Sequence, residues 1–283
     1  MNGEVRLRIR IRRMRLAVPV LLAAVLGSAC SAEPSASPVI KDAGTDAKRK
    51  VDAGPKDAGP DSFDPRLDRM TSGGGKVLAS MKLGIIYIGI DETEGSPSQD
   101  AYITWLVSSG WWGIMKQYGV DPGSVVGSVR VPRADFVKAS DIDSKGRVSY
   151  GFVSWQVDQL IGTGQDAGGA LVPGADSYIV FLPWGVNVDL GIGVTCAEIG
   201  GYHSTTPSNV PYSLMPPCEI GHSGTAISHE LAEMATDPFP YGGWADHTMQ
   251  QGEIGDLCNA ASLWDGHIVT RLWSNEAGDC IPE

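Results

Sequence analysis

The clearest hydrophobic pattern in the chain is the run Lys82-Leu83-Gly84-Ile85-Ile86-Tyr87-Ile88-Gly89-Ile90, apolar and rich in β-forming residues, which reads as a strand. A polar turn around Gly95-Ser96-Pro97 leads into a helix-like stretch from Gln99 through Tyr118, so the first unit is strand followed by helix. Val125–Val131 and Ser177–Leu182 read as further buried strands, with a helix between them over Phe152–Ile161. Alternation of this kind predicts a single α/β layered domain, a mixed sheet flanked by helices. Trp105, Trp111, Trp112 and Tyr118 fall at the spacings of a helix packing into a core. After Pro183 the character changes to Gly, Thr, Ser and Pro, which predicts a long excursion; long ordered loops are often functional. Trp273-Ser274-Asn275 is expected to close a terminal strand.

Upstream of this domain the pattern is different. Six arginines from Arg6 to Arg15 stand against the single acid Glu4, and an apolar run from Leu16 to Gly27 follows. That is the layout of a secretion signal, with an apolar run shorter than the ~20 residues a spanning helix needs. Leu26-Gly27-Ser28-Ala29-Cys30 resembles a bacterial lipobox, in which the cysteine becomes the lipidated first residue of the mature chain. From Ser31 to about Arg69 the composition is Ala, Asp, Pro, Gly, Lys and Ser, with the near-repeats Asp52-Ala53-Gly54-Pro55 and Asp57-Ala58-Gly59-Pro60. Such a segment cannot bury enough apolar surface to fold. The expected organisation is a signal over 1–29, a lipidated cysteine and flexible tether over 30–75, and one domain over 76–283.

Charge narrows the partners. Loss of residues 1–29, with six arginines and one glutamate, takes the formal net charge from −11 to −16. An acidic surface of this kind repels nucleic acid and anionic lipid, so no nucleic-acid partner is expected, and membrane contact only through the lipid anchor. No exposed apolar stripe speaks for oligomerisation, and a monomer is expected.

With Cys30 set aside for lipidation, Cys196, Cys218, Cys258 and Cys280 remain. Their even number fits two disulfides in an oxidising compartment, and the domain is expected at the cell envelope or outside it. Three pairings are possible; Cys196 with Cys218 and Cys258 with Cys280 close the shortest loops. No pair has the C-x-x-C spacing of zinc-cysteine sites.

The segment with the most chemistry is Ala226-Ile227-Ser228-His229-Glu230-Leu231-Ala232-Glu233-Met234-Ala235-Thr236-Asp237-Pro238. It predicts a helix that stops before Pro238. His229 and Glu233 are four apart and share a face, the spacing two ligands need to reach one metal ion. With Glu230 beside the first ligand, this is the H-E-x-x-H zinc-hydrolase layout with glutamate for the second histidine, a zincin-like active helix; zinc accepts a carboxylate oxygen. Glu253 lies twenty residues beyond Glu233, and Asp256 three further on. That spacing makes Glu253 the expected third ligand and Asp256 a partner orienting His229 or an alternate ligand. Asp246 and His247 stand behind them, while His203 and His222 read as surface or capping histidines. If zinc binds, Glu230 is the expected general base.

Taken together, these motifs resemble the phosphate-induced, or Exordium-like, secreted protein family. The resemblance rests on Gly84-Ile85-Ile86-Tyr87-Ile88-Gly89, on Trp111-Trp112 with Tyr118, on Cys196 through His203-Ser204 to Cys218, and on Trp273-Ser274-Asn275 with Cys280. Its most specific stretch is His229-Glu230-Leu231-Ala232-Glu233 with Thr236-Asp237-Pro238, then Glu253-Ile254-Gly255-Asp256-Leu257-Cys258. What it implies is an extracellular location, one domain, and a single site around His229; it supplies no activity.

Two functions follow from the same residues. One is a zinc-dependent hydrolase of the cell envelope, acting on a peptide or cell-wall substrate through Glu230. The other is a non-catalytic surface protein that binds wall polymer or a protein, its acids holding a structural ion, for which calcium suits the oxygen ligands better.

Overall fold

A computed structural model describes residues 69–90, 96–166, 171–219, 221–239, 242–246, 252–258 and 260–282. The secretion signal, Cys30, most of the tether and His247 lie outside these residues. In chain order the elements are β1 (Thr71–Ser72), β2 (Lys82–Ile88), α1 (Ser96–Ser108), a 3-10 run (Trp112–Tyr118), β3 (Ser124–Val131) and the single-turn α2 (Arg133–Phe136). They continue with β4 (Arg147–Ser149), α3 (Tyr150–Asp166), β5 (Ser177–Phe181), β6 (Asn187–Asp189), β7 (Tyr202–Thr205), β8 (Pro211–Met215) and α4 (Gly224–Thr236). Four short strands and a two-residue one complete the fold: β9 (Trp244–Ala245), β10 (Ala261–Trp264), β11 (His267–Thr270), β12 (Leu272–Ser274) and β13 (Asp279–Ile281).

The architecture is mixed α/β around a five-stranded sheet in the order β3-β2-β5-β8-β7. β3, β2, β5 and β8 run parallel, and β7 pairs antiparallel to β8 at the edge. Because side chains alternate along a strand, each inner strand feeds two cores. Leu83, Ile85, Tyr87, Ile179, Phe181 and Met215 join the core beneath α1, the 3-10 run and α4. Ile86, Ile88, Val180, Leu182, Tyr212 and Leu214 join the one beneath α3, where Val153, Val157 and Ile161 recur at helical spacing.

Three expectations meet a different outcome. The helix predicted to reach Tyr118 ends at Ser108, because the hydroxyls of Ser108 and Ser109 donate back to the Thr104 and Leu106 carbonyls at 2.9 Å each and Gly110 follows. Trp111 and Trp112 are nevertheless fully buried, with indole N–H groups donating to the Thr270 and Asp121 carbonyls at 3.1 Å. The excursion after Pro183 contains β8, an inner strand of the main sheet, so it is part of the scaffold rather than an addition to it. The fold also begins before Lys76: Met70 is buried and β1 pairs with β9.

Cys196–Cys218 and Cys258–Cys280 are disulfides, with Cα–Cα separations of 5.9 and 5.6 Å, each spanning 22 residues of sequence. Two such bonds are the chemistry of an oxidising, extracytoplasmic compartment. Among the described residues no helix is long and apolar enough to cross a membrane.

Candidate functional site

α4 is capped by Ser223, whose side chain accepts from the Ala226 N–H at 3.2 Å, and ends ahead of Pro238. Ile227, Leu231, Met234 and Ala235 face the core, which turns His229, Glu230 and Glu233 toward a cleft. Hydrogen bonds fix the helix against its surroundings, two of them next to the acids. The Ser213 hydroxyl of β8 donates to the Glu230 carbonyl at 3.1 Å, and the Ser228 hydroxyl accepts from the Thr270 N–H of β11 at 2.7 Å.

Segment 252–258 carries the downstream acids to this helix. Its Ile254 is fully buried and accepts through its carbonyl from the Trp273 N–H at 3.0 Å, while Cys258–Cys280 staples the segment to the terminal hairpin. The Asp256 N–H then donates to Glu233 Oε1 at 3.2 Å. Gly255 makes the approach possible: a Cβ there would lie 2.7 Å from His229 Nδ1 and 3.0 Å from Glu233 Oε1. Gly201 plays the same part on the opposite wall, where a Cβ would sit 2.9 Å from Glu230 Cγ.

His229, Glu230, Glu233, Glu253 and Asp256 all line one cleft of about 680 Å³. His229 Nε2 lies 3.0 Å from Glu233 Oε1 and 3.3 Å from Asp256 Oδ1. Asp256 thus meets the same ring nitrogen as Glu233, the position of an alternate ligand rather than of a partner orienting the ring from Nδ1. Glu253, the expected third ligand, faces a different histidine. His203 of β7 places Nε2 3.3 Å from Glu253 Oε1, and its Nδ1 lies 3.6 Å from Glu230 Oε2 and 3.7 Å from Glu233 Oε2. His203 is therefore neither surface nor capping; its side chain is 6% exposed and sits among three carboxylates. Among the remaining candidates, Asp246 pairs with Arg69 at 2.7 Å, and His222 packs edge-on to Phe181 beside Trp184.

The strand β7 explains why His203 reads as a surface or capping residue in the sequence. Tyr202-His203-Ser204-Thr205 and Val210-Pro211-Tyr212 flank the turn Thr206-Pro207-Ser208-Asn209, a hairpin pattern concealed in a region rich in Gly, Ser and Pro.

The electrostatics of the cluster follow from burial and like charge. Burial alone depresses an imidazole, but the carboxylates around His203 and His229 outweigh it and hold both well above the usual histidine range. Burial pushes Glu233 up to about 7, against the pull of His229. Its hydrogen bond to His229 draws Asp256 below the usual carboxylate range. Two overlapping groups have donor atoms close enough for a cation: His203, Glu233 and Glu253, and His229, Glu233 and Asp256. Imidazole nitrogen with carboxylate oxygen is a set that divalent transition metals accept, and the buried His203 Nε2 has no hydrogen-bond partner among the described residues. The residues present therefore fit a metal.

The rest of the cleft is largely apolar, with Ser204 and Asp237 as the polar exceptions beside the tyrosine hydroxyls. Tyr150, Leu190, Ile192, Ile199 and Tyr202 form its walls, with Ile192 almost fully exposed. No protein-family model matches the chain, and no curated protein matches it at a significant level.

Proposed function

We propose that the protein is a metal-dependent hydrolase of peptides or related acyl compounds, working outside the cytoplasm and tethered through a lipid on Cys30. The observation that carries this reading is the convergence of two histidines and four carboxylates on the floor of one cleft, drawn from α4, β7 and the disulfide-stapled segment 252–258. His229, Glu233 and Asp256 are the group that holds the catalytic cation, with zinc as the metal their chemistry suits. When bound, such a cation polarises a carbonyl and lowers the pKa of water to about 7. Glu230, next to the first ligand and open to the cleft, takes the proton of the attacking water and returns it to the leaving group. The apolar walls admit a hydrophobic side chain of the substrate, and the antiparallel edge strand β7 borders the place where an extended chain would lie.

The test is elemental analysis of the chain purified without added metal, followed by a peptide-library screen of the protein and of Glu230→Gln. Retained metal with hydrolysis lost at least about a hundredfold in Glu230→Gln is the expected result. Metal-free protein that also fails to take up zinc sinks the proposal. A structural calcium site is the second reading, favoured by the excess of carboxylates over imidazoles; it predicts calcium uptake and no change in Glu230→Gln beyond affinity.

A further inference from the structure

The cluster holds more ligands than one cation needs, and they are divided rather than pooled. Glu233 is the shared member: its Oε1 lies 3.0 Å from His229 Nε2, and its carboxylate also forms a second group of donor atoms with one ring nitrogen of His203 and an oxygen of Glu253. On the His229 side the group is completed by Asp256, on the His203 side by Glu253, 3.3 Å from His203 Nε2. Within each group the donor atoms lie within 4.8 Å of one another. His203 supplies an independent observation: a side chain 6% exposed whose Nε2 points at an acid without a hydrogen bond.

Formal charge points the same way. Glu230, Glu233, Glu253 and Asp256 bring four negative charges to a site whose imidazoles must be neutral to bind metal. A single divalent cation cannot offset all four, and Glu230 and Glu233 are buried, where unpaired charge is costly. Two divalent cations match these four charges.

We propose that the cleft is a two-cation centre, in which the carboxylate of Glu233 bridges a cation held by His229 and Asp256 and a second one held by His203 and Glu253. This rests on reading the cluster as a metal centre and adds a site to it. The second cation is divalent and of the kind that accepts mixed imidazole and carboxylate ligands, zinc or manganese.

Titration of the metal-free full chain with zinc and, separately, with manganese tests it, read by calorimetry and by elemental analysis after dialysis. Expected are two equivalents per chain, one in His203→Ala, one in Asp256→Asn, and spin-coupled manganese resonance that appears only beyond the first equivalent. The wild-type stoichiometry and the resonance decide the question even if His203→Ala does not fold. One equivalent without spin coupling overturns the second site while leaving the hydrolase reading intact. Two equivalents that persist in His203→Ala overturn the assignment of that site, and no uptake at all removes the metal centre altogether.

Discussion

The two faces of the main sheet are built from the same strands and covered by different kinds of helix. On one side α3 lays Val153, Val157 and Ile161 on Ile86, Ile88, Val180 and Leu214, an aliphatic contact. On the other, α4 buries Ser228, Glu230, Glu233 and Thr236 along with its apolar stripe. Burial on the α3 side is stabilising by area alone. Burial of two carboxylates on the α4 side is unfavourable unless they are paired or neutralised, and His203 and His229 are the groups that face them. The buried carboxylates are thus confined to one face of the sheet, on a helix that also packs into the core there.

The largest expected effect lies on the packing side. Ile86→Ala should cost about 2–5 kcal/mol, read as a lower urea midpoint, with metal uptake per folded molecule unchanged. If uptake falls in proportion, the two faces are not separable. Next comes the Cys258→Ala/Cys280→Ala pair, expected to cost about 3 kcal/mol from the lost 22-residue cross-link. Unlike Ile86→Ala, it should also weaken metal uptake, because that bond anchors to the terminal hairpin the segment 252–258 that brings Glu253 and Asp256 to the cleft.

Glu233→Gln sharpens the contrast from the chemical side. It should reduce cation affinity at least about tenfold while moving the urea midpoint of the metal-free protein less than Ile86→Ala does. The smallest effects are those of pH on metal-free protein, and they carry opposite signs in two places. His203 and His229 have raised pKa values in the fold, so their contribution is complete below pH ~6.5 and is lost as pH rises through the folded values. His222, held down by burial, behaves in the opposite sense: the fold prefers its neutral form, so stability falls as pH drops below ~6.5 through the folded value. His222→Gln should flatten the acid side of the stability profile, by less than about tenfold in the folding equilibrium per pH unit. An unchanged acid limb would show that His222 is not buried in this way.

How much of this was legible in the chain depends on where periodicity survives. β2 and β5 stand out because continuous apolar runs mark strands buried on both faces, whereas β3, also read as buried, is an edge strand of alternating exposed and half-buried residues. α4 is legible for a different reason, its His229 and Glu233 four apart and Pro238 closing it. β8 is hidden because Pro211 opens it, Pro216 follows it and Ser213 interrupts its apolar residues; the serine is there to hydrogen-bond α4, a tertiary reason with no local signature. The site divides along the same line. Five of its six side chains lie on α4 and the acidic segment after it, whereas His203 arrives from a strand whose partner is the hidden one.

Met70 is buried, and Asn275 clasps it from both sides, its Oδ1 accepting from the Met70 N–H at 3.1 Å and its Nδ2 donating to the Met70 carbonyl at 2.7 Å. Rungs Thr71–Ala245 and Ser72–Trp244 follow immediately, and Arg69 is ion-paired to Asp246. A force applied through the preceding segment is therefore borne by a short buckle fastened to the far end of the sequence. A chain trimmed at Lys76 loses that buckle and leaves the Met70 socket open.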